Sequence, residues 1–115
     1  MGIPRTKSAQ PEDAYIVNIT ESIIECLHPK WNFGKVKLNV IHTIKLVNTN
    51  EGPWLPDIWL TLVDDDNICR IPHGSKGFDQ VYDIVSKYDN FNFDNVTQSM
   101  SSTDNEEFLL WTKNY

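Results

Sequence analysis

A chain of 115 residues, 40% apolar and 23% charged, is long enough for one domain with a single modest core. Its composition is that of an ordinary globular protein, and its formal charge is −6 at pH 7. The longest apolar runs, such as Phe108-Leu109-Leu110-Trp111, fall far short of the roughly 20 residues a spanning helix needs, so no membrane segment is expected.

Residues 1–13 are polar, contain Pro4 and Pro11, and read as a flexible N-terminal arm. Arg5 and Lys7 precede no apolar core, so the arm is not a secretory signal and cytoplasmic residence is expected. Residues 14–115 read as one domain. Ala14–Ile19 and Ser22–Leu27 are β-branched runs separated by Thr20-Glu21, the spacing of a first hairpin. His28-Pro29 ends the second strand, and Trp31-Asn32-Phe33-Gly34 reads as a turn. Lys35–Leu38 alternates charged and apolar residues as a half-buried strand does. Asn39–His42 is a corner or one helical turn, and Thr43–Val47 is the next strand.

Thr49–Trp59 then sets Gly52-Pro53, Pro56, two tryptophans and two carboxylates between apolar runs. Proline lacks the ladder donor, so Trp54 and Leu55 belong to a stiff loop. Asp57–Val63 is the strongest strand, with Ile58, Leu60 and Leu62 on one face. Asp64-Asp65-Asp66-Asn67 supplies a hairpin turn, and Ile68–Ile71 returns before Pro72 and Gly74. Phe78, Val81, Tyr82, Val85 and Tyr88 form one helical stripe, with Asp83 and Lys87 at i,i+4. Asn92 is placed to cap a second short helix running to about Met100, with Phe91 and Val96 in staple positions. Phe108–Trp111 is the last strand. The sum is an α+β fold of about seven antiparallel strands, curling into a partly open barrel or two crossed sheets, with two short helices before the last strand.

Charge is uneven along the chain: residues 1–50 carry +2, residues 51–63 carry −2 and residues 64–115 carry −6. Phosphate repulsion argues against direct nucleic-acid binding, whereas a complementary field favours a basic partner. The same acidity serves plain solubility. Cys26 and Cys69 have no metal-ligand spacing and read as small buried hydrophobes, with a disulfide as the lesser alternative. No two of His28, His42 and His73 stand at metal-ligand spacing, and Asp64-Asp65-Asp66 lacks the remaining ligands of a calcium loop. No metal or cofactor is expected. Nucleophile elbow, phosphate-loop and zincin motifs are absent, so no catalytic residue is assigned and the chain is read as a non-enzyme.

A resemblance rests on Thr49-Asn50-Glu51-Gly52-Pro53-Trp54 with Asp57-Ile58-Trp59, on Ile71-Pro72-His73-Gly74, and on Phe91–Asn95 and Met100–Asn105. Through these the chain resembles small acidic bacterial proteins with a pleckstrin-homology-like build. Asn50 departs from the acid expected there, and Asn92-Phe93 interrupts an expected Gly-Phe-Asp-Asn run. The resemblance implies a fold with no activity attached. Several such proteins are similar to immunity proteins, which neutralise a bacterial toxin. The expected partner is therefore a basic toxin domain, an RNase or DNase, engaged through Glu51, Asp57, Asp64, Asp65 and Asp66. Trp54 is read as an exposed anchor, and His73 as the histidine best placed to touch the partner. A general interaction module of this build, with another ligand, is the alternative.

Overall fold

Strands form where the apolar period is two, and helices where it lengthens to 3.6. The computed structural model describes residues 14–50 and 57–113. Strands β1 (Ile16–Ile19), β2 (Ile23–Leu27) and β3 (Asn32–Lys37) make one antiparallel sheet in that order. Strands β4 (Thr43–Asn48), β5 (Ile58–Val63), β6 (Ile68–Pro72) and β7 (Glu106–Thr112) make a second, ordered β6-β5-β4-β7. Helices α1 (Phe78–Val85) and α2 (Phe93–Ser101) fall between β6 and β7 in the chain. The α+β class stands as expected, with seven strands among the described residues and two helices before the last one. The strands form two separate sheets and no closed barrel. The proposed N-terminal arm lies outside the described residues. No described helix is long and apolar enough to cross a membrane.

Register explains the core. Ile44, Leu62 and Cys69 stand in one cross-strand row, and Leu46, Leu60 and Ile71 stand in the next. All six are fully buried, together with Ile24 and Cys26 of β2 and Val81 and Val85 of α1. Each large apolar side chain so buried contributes about 1.5–3 kcal/mol. Cys26 and Cys69 are free thiols within this core.

Three local departures from the sequence reading have identifiable causes. First, β3 begins at Asn32, inside the expected turn. Gly34 adopts φ +94°, and a Cβ there would lie 1.8 Å from the Ile68 carbonyl oxygen. The glycine lets β3 approach the backbone of β6 and so brings the two sheets together, where a bare sequence reads it as a breaker. Second, α1 stops at Val85, one turn before the end of the apolar stripe. Tyr88 lies beyond the helix and meets Trp111 edge-to-face at 4.8 Å, while Asn90 takes a left-handed φ of 68° and redirects the chain. Third, β4 runs one residue past the expected Val47 and buries a polar residue, Asn48, on the face of Ile44 and Leu46. Its Nδ2 donates to the Ser99 carbonyl at 2.8 Å, and its Oδ1 accepts from the Ser99 hydroxyl at 2.6 Å. That pair fastens α2 to β4.

The start of α2 agrees with expectation. Asn92 Oδ1 accepts from the Asn95 backbone N–H at 3.0 Å, as an N-cap does. The same stretch reaches β7: Asn95 Nδ2 donates to the Leu109 carbonyl at 2.7 Å, and the Asn92 N–H donates to that of Leu110 at 2.8 Å. The Asp83–Lys87 pair forms at 3.2 Å on the surface of α1.

Candidate partner-binding site

Strand β5 separates the acidic residues singled out from the sequence. Asp57 precedes it and Asp64, Asp65 and Asp66 follow it, so six strand residues place the two groups about 20 Å apart. They occupy opposite ends of the second sheet. Glu51 and Trp54 lie outside the described residues.

At the hairpin end the three aspartates differ. Asp64 is buried. Its Oδ1 accepts from the backbone N–H groups of Asp66 at 2.8 Å and Asn67 at 2.7 Å, and its Oδ2 accepts from that of Lys37 at 3.2 Å. Burial by itself would raise its pKa. The N–H groups of Asp66, Lys37 and Asn67 outweigh burial and hold the carboxyl below its ordinary 3.8. Within the expected acidic prong, Asp64 is thus turned inward, where it shapes the turn and ties β3 to it. Asp65 and Asp66 are exposed. Asp65 lies 3.5 Å from His42 Nε2, and the other ring nitrogen of His42 is 2.8 Å from the Thr43 hydroxyl.

At the opposite end, the Thr49 N–H donates to the Asp57 carbonyl at 2.7 Å, and the His73 N–H donates to the Ile58 carbonyl at 2.8 Å. These bonds set Asp57 and His73 on the same edge of the sheet. The His73 imidazole is exposed and meets Phe78 edge-on at 5.1 Å. Strand β7 starts here too, because Glu106 pairs with Asn48. The turn from α2 into β7 therefore arrives beside Asp57. Between them opens a cleft of about 350 Å³, lined by Asn50, Asp57, Thr103 and Asp104 with Met100 on its flank. Asp57 and Asp104 are both exposed, and among the described residues neither has an ion-pair partner. Nearby Glu107, by contrast, is paired with Lys45 at 2.9 Å. Carboxylates, an amide and hydroxyls around one small cleft offer acceptors to an ammonium or a guanidinium.

Sequence reasoning missed Asp104 and Met100 as parts of this end. Met100–Asn105 enters the sequence reading through the resemblance alone, and the β4–β7 pairing that carries it to Asp57 leaves no local trace. It also missed Trp31. That indole is 53% exposed and stacks on His28 at 4.6 Å and 25°. Behind it, Tyr15, Phe33 and Trp59 continue a chain of ring contacts into the fold. Trp59 and Trp111 are partly buried and pack against the core. Among the described residues, no three His, Cys, Asp or Glu side chains are grouped to hold a metal ion.

Compared with known proteins, the chain matches no family model, no curated protein and no solved structure.

Proposed function

We propose that this chain is a non-catalytic protein-binding protein with a pleckstrin-homology-like build, an immunity protein that neutralises a basic toxin domain. The partner is a nuclease whose substrate cleft, built to hold phosphate, is positive. The observation that carries the reading is the pair of exposed carboxylates, Asp57 and Asp104, on one cleft of an acidic molecule, neither with an ion-pair partner among the described residues. Lysine or arginine side chains of the partner enter this acceptor-lined cleft, and charge complementarity raises the encounter rate and disfavours wrong partners. Exposed Asp65 and Asp66 lie at the other end of β5, and their contribution is a long-range field.

The test is retention of partners by the tagged protein from its own organism, at low and moderate salt, beside the double variant Asp57→Lys/Asp104→Lys. Both positions are exposed, so the variant keeps its fold. The expected result is one basic toxin fragment held by the native chain and weakened at least about tenfold by the reversal. Equal retention by both proteins would move the interface elsewhere. Recovery of housekeeping proteins alone would replace the immunity reading with a general interaction module.

A further inference from the structure

A second concavity lies between the start of β1 and the loop that leads into α1. Its volume is about 460 Å³, within the range of small-molecule sites. Tyr15, Ile16 and Val17 line one side, and Lys76, Gly77 and Gln80 line the other. The two sides are tied together. Ile16 and Lys76 form a parallel β-bridge on the outer edge of β1. Gly77 comes so close that a Cβ there would lie 2.8 Å from the Val17 Cβ, and its φ of +97° suits glycine. The loop is braced in turn. The Ser75 hydroxyl donates to the Pro72 carbonyl at 2.7 Å, and the Phe78 and Val81 N–H groups donate to the Ser75 and Gly77 carbonyls at 3.1 and 3.2 Å. Walls held in this way are formed before a guest arrives, which lowers the ordering cost of binding.

The lining dictates the guest. Buried Tyr15, half-buried Val17 and exposed Ile16 make the β1 wall largely apolar. On the other wall Lys76 and Gln80 are exposed, and Lys76 has no ion-pair partner among the described residues. No described carboxylate shares the lining. The polar wall therefore offers an ammonium and an amide N–H₂, which suit a group with two acceptor oxygens and one negative charge. A phosphate monoester would carry up to twice that charge into the field of a −6 chain, against the same single ammonium. A polypeptide end would gain by adding itself to the edge of β1, but the Lys76 bridge already occupies that edge beside the cavity. We infer that this cavity is a binding site for a small monocarboxylate with an apolar body. The carboxylate lies on Lys76 and Gln80, and the apolar body lies along Ile16 and Val17. The site does not depend on the acidic cleft or on any protein partner.

The test is a titration of the full chain with hexanoate, followed by ¹H–¹⁵N NMR at the Val17 and Gly77 amides and the Gln80 side-chain amide. Hexanamide, hexylamine, hexyl phosphate and a capped tripeptide ending in a free leucine carboxylate serve as comparison probes. The expected result is saturable shifts at those groups with hexanoate, and at least about tenfold weaker binding of each comparison probe. Lys76→Gln, at an exposed position, weakens hexanoate about tenfold and leaves hexanamide unchanged, whereas Lys76→Arg keeps hexanoate binding. No shift at these groups up to about 10 mM hexanoate overturns the assignment. Equal binding of hexanoate and hexanamide, or equal binding of hexanoate by the native chain and Lys76→Gln, also overturns it, because the cavity would then read no charge. Tightest binding of the tripeptide would make the guest a polypeptide end, and tightest binding of hexyl phosphate would make it a phosphate ester; either result overturns it as well.

Discussion

Asp64, Asp65 and Asp66 are the same residue three times in the sequence, and the fold gives them different work. Two backbone N–H groups of the turn and a third from Lys37 converge on Asp64, while its neighbours face solvent. An asparagine at 64 would keep one acceptor for the turn but aim an N–H₂ at the Lys37 N–H, leaving that donor without a partner. Asp64→Asn is therefore expected to lose about 1–3 kcal/mol in chemical denaturation at neutral pH. The pH dependence has a definite sign. Because the folded-state pKa lies below the ordinary 3.8, the carboxylate's stabilisation is complete above that value and disappears as pH falls through the lower one. Unfolding followed from pH 6 downward should show a loss in the native chain that Asp64→Asn lacks. Equal acid sensitivity in both proteins would contradict this role. That the triplet makes a turn was legible from residue type. Which member turns inward was not, because the third donor comes from Lys37, 27 positions away.

Elements were legible where local chemistry specifies them and blurred where distant backbone intervenes. The Asn92 cap, the β5–β6 hairpin and the buried face of β5 all follow from residues close in sequence. The start of β3 does not, because it depends on Ile68 in another strand. Gly34→Ala would force a left-handed φ on an L-residue and press a methyl group into a carbonyl oxygen held by β6. It is expected to cost about 2 kcal/mol or more, against about 1 kcal/mol for Asn92→Ala, which removes only a cap. Parallel denaturation curves of the two variants would test that order, and the reverse order would mean that the contact between β3 and β6 yields easily. Asn48 makes the same point for β4. Its alternation with Ile44 and Leu46 assigns it to the core face, and only the position of α2 shows why an amide is tolerated there.

At the scale of the whole molecule, two sheets close over a core that contains both cysteines. Burial pushes both thiols up to about 12, so both remain protonated at neutral pH. A thiol reagent should label neither in the native chain and both after denaturation; rapid native labelling would mean that the core opens easily. The candidate site was legible only in fragments: Asp57 and His73 do share an end, whereas Asp64 is turned inward and Asp104 was not foreseen. Charge along the sequence is one-dimensional, and the cleft exists only because β7 pairs with β4. The outer position of β7 has a further consequence. An edge strand with open carbonyls is a template on which another chain can add itself. Here the Leu109 and Leu110 carbonyls already accept from Asn95 and Asn92, in the stretch that opens α2. A newcomer strand would have to evict that stretch before it could pair, so the second sheet carries its own end-stop against fibril growth on this side.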